Sequence, residues 1–111
     1  MNAIDRLYKA NNYTISKSIN IDDSLYKEII KLSKKTFSAS ISEIINVAIE
    51  NYIVKNSPKY YKKPELESVT YRTIMMRIKN YNELKKMSDK TGISFTRLLN
   101  DSLKDLIEEI K

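Results

Sequence analysis

The sequence predicts a mainly helical fold that also contains a two-stranded antiparallel β-ribbon and is built from two similar halves. Two short segments alternate apolar and polar residues as strands do, and each is followed by two stretches with the periodicity of amphipathic helices. A single strand leaves its backbone amides and carbonyls without partners. We therefore expect the two strands to pair within the chain, above a bundle of four helices.

An internal duplication underlies this organisation. Residues 31–49 align with residues 86–103, with one residue missing from the second copy, and Asn46 aligns with Asn100. A repeat at about 55 residues is the main organisational feature of the chain. We expect an N-terminal arm, a first repeat, a linker that holds both prolines and a second repeat, at residues 1–12, 13–54, 55–69 and 70–111.

The first half predicts strand, helix, helix. The strand is predicted over residues 13–21, where isoleucines occupy one face and Thr, Ser and Asn the other. Asp22 is expected to cap the first helix, which should end near Lys35. The second helix should begin at a capping box, in which the Ser40 hydroxyl accepts a hydrogen bond from the Glu43 amide and the Glu43 side chain reaches back.

The second half predicts the same order. Its strand is predicted over residues 71–78. Tyr81 is the first apolar residue of the helix that follows, which should be about two residues shorter than the first helix of the first half. Gly92, the only glycine, follows this helix where a left-handed C-terminal residue is needed. Ser94 is expected to cap the last helix, whose apolar stripe runs to Ile110.

Composition excludes several classes of function. The chain has no cysteine and no histidine, which excludes disulfides, thiolate metal sites, histidine-based catalysis and most zinc or iron sites. We therefore expect no enzyme, no catalytic residue, no metal ion and no cofactor, and no small-molecule ligand is evident. No apolar run is long enough for a membrane span, and the N-terminus does not resemble a secretory signal, so we expect a cytoplasmic protein with no membrane partner.

The charge is positive and uneven. Lys and Arg number 20 against 14 Asp and Glu, and the excess lies mainly in residues 57–97. A basic surface on a small protein indicates an acidic partner, most often nucleic acid. A surplus of solubilising lysines would give the same balance, so composition leaves both interpretations open.

The order of elements resembles a known family. The residues that carry the resemblance are Ile19 to Leu25, entering the first helix, and Thr91 to Thr96, entering the last. They resemble the ribbon-helix-helix family of MetJ/Arc-type DNA-binding proteins. Members usually carry one copy and dimerise, and this sequence resembles the rarer tandem form, seen in relaxosome accessory proteins, which implies an intramolecular pseudo-dimer. The first copy has Phe37 and Ser38 where glycine is usual.

The outward residues of the two strands are the candidate base contacts. A two-stranded ribbon fits the major groove, where Asn pairs with adenine, Arg pairs with guanine, Met contacts the thymine methyl group, and Ser and Thr bind several bases. A solvated sheet face would also be rich in Ser, Thr and Asn. The candidates are Ser16, Ser18, Asn20, Thr73, Met75 and Arg77.

The resemblance also implies phosphate contacts at the N-terminus of the second helix of each half, where free amides and the helix dipole favour an anion. The candidates are Ser40, Ser42, Ser94 and Thr96, which would serve the helix starts equally well without DNA. Two further segments could touch DNA or serve only as a linker and a frayed end: the basic aromatic patch around Tyr60 and Tyr61, and residues 1–12.

These features predict a sequence-specific double-stranded DNA-binding protein, most simply a transcriptional repressor of a prokaryote or virus, associated with the nucleoid. The alternatives are a relaxosome or plasmid-maintenance accessory protein and the antitoxin of a toxin–antitoxin pair. A second copy of the chain on DNA is left open.

Overall fold

A computed structural model of the chain describes residues 13–35, 40–56 and 67–110. In these ranges the order strand, helix, helix occurs twice: β1 (Thr14–Asp22), α1 (Asp23–Lys35), α2 (Ile41–Lys55), β2 (Val69–Arg77), α3 (Ile78–Thr91) and α4 (Phe95–Ile110). The predicted class, mainly helical with a two-stranded antiparallel sheet, is confirmed. Residues 1–12, the turn at Phe37 and Ser38, and the patch around Tyr60 and Tyr61 lie outside the described residues.

The two strands pair with each other along their whole length. Thr14 faces Arg77 at one end of the antiparallel register and Asp22 faces Val69 at the other. Ser18 faces Thr73 at the centre, and their hydroxyl oxygens lie 3.1 Å apart. The ribbon therefore joins the two halves of one chain, and alternate residues of each strand share one face.

One hydrophobic core lies under the ribbon and between the helices. The inner residues of both strands are buried there with the apolar stripes of the four helices, and burial of each large apolar side chain stabilises the fold by about 1.5–3 kcal/mol. The core consists of Ile19, Ile21, Leu25, Ile29, Ile44, Ile45, Ala48, Ile49, Tyr52, Ile74, Met76, Leu84, Met87, Leu98, Leu99, Leu103 and Ile107. Within the described ranges, no helix is long and apolar enough to cross a membrane.

The boundary between β2 and α3 differs from the prediction. Ile78, predicted to end the strand, is the first residue of α3, which has 14 residues against 13 in α1 and so is not the shorter helix. The Ile78 amide donates to the Tyr13 carbonyl at 2.8 Å, which ends the ribbon as the helix begins. Gly92 has a φ of 77° after α3, as predicted.

Both predicted serine caps are confirmed, but two acidic side chains have other partners. The hydroxyl of Ser40 accepts from the Glu43 amide at 3.1 Å, and that of Ser94 from the Arg97 amide at 3.1 Å. The Glu43 carboxylate binds Arg77 rather than reaching back, and the carboxylate of Asp22 binds Arg97 rather than capping α1. A contact between a guanidinium and a carboxylate combines charge-assisted hydrogen bonds with the attraction of two opposite full charges.

The start of β2 holds the N-terminus of α1. The Ser24 amide donates to the Glu67 carboxylate at 2.6 Å, and the hydroxyls of Ser68 and Thr70 donate to the Asp23 carboxylate. The hydroxyls of Ser68 and Thr70 lower the pKa of Asp23, and the side chain and amide of Ser24 lower the pKa of Glu67, because these hydrogen bonds stabilise the charged form. The chain is thereby fixed where it enters the ribbon.

Candidate nucleic-acid interface

The outer face of the ribbon, which we define as Ser16, Ser18, Asn20, Tyr71, Thr73 and Met75, is exposed. Its three cross-strand pairs are Ser16 with Met75, Ser18 with Thr73, and Asn20 with Tyr71. Tyr71 is 70% exposed and Met75 is 47% exposed, although both are large side chains. The buried core covers the opposite face, so the outer face presents its mixed polar and apolar groups to solvent.

Five of the six predicted base-contact residues lie together on this face, and Arg77 lies at its end. The Arg77 guanidinium is 2.7 Å from Glu50 and 2.9 Å from Glu43, both on α2. The hydrogen bonds that Arg77 donates to Glu50 and Glu43 raise the pKa of Arg77. Arg77 would have to leave both carboxylates to reach a base.

Tyr71 is a residue of the outer face that was not among the predicted base contacts. It lies on the same face as Thr73 and directly opposite Asn20. The alternation of the second strand carried the signal, since Tyr71 has the same parity as Thr73 and Met75. The predicted strand began at this residue, whereas β2 begins two residues earlier, at Val69.

Two basic residues, Lys17 and Arg72, alternate with the outer-face residues and place positive charge beside the ribbon. The Lys17 ammonium lies 4.8 Å from the ring centroid of Tyr81. The Arg72 guanidinium lies 5.8 Å from the ring of Tyr26 and donates to its hydroxyl at 2.6 Å. Long basic side chains can cover apolar surface while the charge remains in water. In the sequence, Lys17 interrupts the alternating isoleucines Ile15, Ile19 and Ile21.

The helix starts that were predicted to contact phosphate lie on both sides of the outer face. The Ser42 hydroxyl, at the start of α2, accepts from the Met75 amide at 3.1 Å and retains its own proton to donate. Thr96, at the start of α4, lines an open cleft of about 310 Å³ together with Lys17, Asn20 and Lys85. Ser40 and Ser94 are exposed at the same two helix starts.

A buried asparagine ties each strand end to a helix of the other half. Its side-chain amide donates to the carbonyl of one strand residue and accepts from the amide two residues further on. The bonds are Asn46 to Met75 (2.9 Å) and Arg77 (2.9 Å), and Asn100 to Asn20 (3.0 Å) and Asp22 (2.9 Å). The sequence signal for this role is the asparagine that occurs at the same position of both repeats, within the apolar stripes of α2 and α4.

No model of a known protein family, no curated protein and no solved structure matches this chain. Among the described residues, no group of His, Cys, Asp or Glu could hold a metal ion.

Charged contacts lie at both strand ends. At the end of β1, Arg97 lies 2.7 Å from Asp22 and 3.3 Å from Asp101, and all three side chains are largely buried. Burial opposes the charged form of Arg97, but the two carboxylates outweigh it and raise its pKa. At the end of β2, the contacts of Arg77 with Glu43 and Glu50 are more exposed.

Acidic residues lie at the opposite end of α4 from the ribbon. Lys55 is 2.9 Å from Asp105 and 3.2 Å from Glu109, near the C-terminus of that helix. Because a 16-residue helix spans about 24 Å, these carboxylates are far from Thr96 and the ribbon. Other carboxylates, among them those of Glu43 and Glu50, lie at the ends of the ribbon, where Arg77 binds them.

Proposed function

We propose that this chain is a sequence-specific double-stranded DNA-binding protein that inserts the outer face of its ribbon into the major groove. It acts as a transcriptional repressor, by occupying its site and without chemistry. The observation that carries the proposal is the outer face itself: six exposed side chains able to contact bases, on a ribbon whose other face is fixed to the core. A two-stranded ribbon has the dimensions of the major groove.

Each type of side chain on the outer face has a role in base recognition. Asn20 pairs with adenine through two hydrogen bonds, and Met75 contacts a thymine methyl group. Ser16, Ser18 and Thr73 donate or accept according to the base they meet. Tyr71, opposite Asn20, adds an apolar ring and a hydroxyl to the outer face. Arg77 holds the ribbon end against α2.

Backbone phosphates are held on both sides of the ribbon. Lys17 and Arg72 supply positive charge at the two sides. Ser42 and Thr96, with the free amides at the starts of α2 and α4, supply hydrogen bonds to phosphate oxygens. Ser40 and Ser94 shape these helix starts through their cap bonds. Such contacts make affinity depend steeply on salt and carry no sequence information.

We propose that the two halves form an intramolecular pseudo-dimer of the ribbon-helix-helix type. The matching bonds of Asn46 and Asn100 support this, as do the matching cation–ring contacts of Lys17 and Arg72. One chain then supplies a complete ribbon. Because its two strands present different residues, one molecule reads a non-palindromic site. A relaxosome accessory protein would use the same face.

The test is a selection of bound sequences from random duplex DNA with the full chain, followed by affinity measurements on the enriched sequence and a scrambled duplex. We expect an enriched motif, a loss of about 1–3 kcal/mol in specific binding for Asn20→Ala, and a smaller loss for Met75→Ala, whose contact is apolar. Val54→Ala, on an exposed residue of α2 outside the outer face, is the control and should bind as the parent does. No enriched motif, or ribbon variants that bind as the parent does, would contradict the proposal.

A further inference from the structure

The charged contacts at the two strand ends match in position and are reversed in sign. Asp22 and Arg77 are the last residues of their strands. Glu43 and Arg97 are both the third residue of their helices, each with its amide bonded to a cap serine. Asp22 binds Arg97, whereas Arg77 binds Glu43. The same helix position and the same strand position thus accept either charge.

Each of these contacts joins one half of the chain to the other. The end of β1 contacts α4, and the end of β2 contacts α2. In a ribbon formed by the β1 strands of two chains, the start of α2 would replace the start of α4. Asp22 of one chain would then face Glu43 of the other chain, which places one carboxylate against another. In a ribbon formed by the β2 strands of two chains, Arg77 of one chain would face Arg97 of the other chain, which places one guanidinium against another.

The hydrogen bonds at the strand ends cannot make this distinction. Asn46 and Asn100 bond to backbone atoms of the strands with nearly identical distances, and either strand offers those atoms. The side chains of Asp22 and Arg97 are largely buried, so a like charge placed against either would be poorly solvated as well as repelled. Discrimination by repulsion of the wrong partner is a general route to specificity.

We propose that Asp22, Glu43, Arg77 and Arg97 form a pairing code that restricts ribbon formation to unlike halves. The end of each strand then accepts only the start of the second helix from the other half: α4 for β1, and α2 for β2. A second copy of the chain is rejected as a like-with-like partner. This inference does not depend on DNA binding.

A single cysteine reports which strands pair. The chain has no cysteine, so Ser18→Cys introduces the only thiol. Ser18 lies at the centre of the register, where a β1–β1 ribbon in the same register would bring two copies of residue 18 face to face. Facing residues of antiparallel strands have Cα atoms about 4.5–5.5 Å apart, within the range that a disulfide spans.

The test compares three forms of the full-length Ser18→Cys protein under mild oxidation. The parent should form no covalent dimer. Glu43→Arg with Arg97→Glu makes unlike pairing repulsive and like pairing attractive, so it should form a covalent dimer of twice the mass. Adding Asp22→Arg and Arg77→Asp restores complementary pairs, and Glu50→Gln and Asp101→Asn in the same protein remove the two carboxylates that would otherwise lie against the new acids. This third form should remain monomeric.

An exchange at a distant ion pair is the control. Lys55→Glu with Glu109→Lys reverses a pair 3.2 Å apart at the far end of the helices, and should form no dimer. A folded Glu43→Arg, Arg97→Glu protein without a covalent dimer would overturn the code, as would a parent that forms the covalent dimer to the same extent.

Circular dichroism decides the remaining case. If the protein with the Glu43→Arg and Arg97→Glu exchange does not fold and the form with all four reversals does, the charges act as complementary pairs and the code stands. If the four-reversal form is unfolded or dimeric, the code is wrong.

Discussion

The ends of β1 and β2 are built with the same geometry but unequal burial. At the end of β1 the side chains of Arg97 and Asp22 are 12% and 4% exposed, whereas at the end of β2 those of Arg77 and Glu43 are 33% and 48% exposed. Solvent screens an exposed pair, while a buried charge depends on its partner. The end of β1 is therefore a fixed point of the fold, and the end of β2 can adapt.

The largest effect should come from breaking the buried cluster. Arg97→Ala leaves the carboxylates of Asp22 and Asp101 buried without their cation, and should lower the free energy of unfolding by about 3–5 kcal/mol. Glu43→Ala, at the matching position, should cost no more than about 1 kcal/mol, because Arg77 keeps Glu50. Urea denaturation of both variants measures the difference. Equal losses would contradict the contrast in burial.

The two asparagines should show what the strand ends share. Asn46→Ala and Asn100→Ala each remove bonds to one strand carbonyl and one strand amide, and should each cost about 1–3 kcal/mol. Asn51→Ala removes only a bond to the exposed carboxylate of Glu109 and serves as the control, with a change within about 0.5 kcal/mol. Thermal or urea unfolding that shows a loss for only one of the pair would break the equivalence of the two ends.

Acid should reveal a smaller difference between the halves. Asp23 and Glu67 have pKa values lowered from 3.8 and 4.5, so their contribution to stability is present above those values and is lost as the pH falls through the lower, folded-state values. The matching helix α3 has no acidic residue in its first turn. Asp23→Asn with Glu67→Gln should therefore flatten the decline in stability below about pH 4.5. If urea denaturation shows that the free energy of unfolding declines with falling pH in the variant as it does in the parent, these two carboxylates do not contribute to acid stability.

Local patterns were sufficient for most of the fold. Alternation located both strands to within one or two residues, and the serines before α2 and α4 marked their starts. Gly92 takes the left-handed conformation that its position indicated. Five of the predicted base-contact residues share the outer face, because the parity of a strand residue fixes the face on which it lies.

Long-range contacts could not be predicted in this way. Asp22 looks like a helix cap in the sequence, but it lies beside Arg97, a residue from the other half of the chain. Arg77 has the parity of a base-reading residue, yet two carboxylates of α2 bind its guanidinium. Both outcomes depend on which helix packs under each strand end, and that is decided by the shared core.

The central claim is that two unlike strands of one chain read DNA together, and substitution of every base pair in the minimal selected site tests it most directly. Affinity measured at each position should give an asymmetric profile. Asn20→Ala should lose preference on one side only, with affinity reduced by about 5- to 150-fold, the equivalent of 1–3 kcal/mol. A profile that is symmetric about its centre, or one that Asn20→Ala leaves unchanged, would contradict the account.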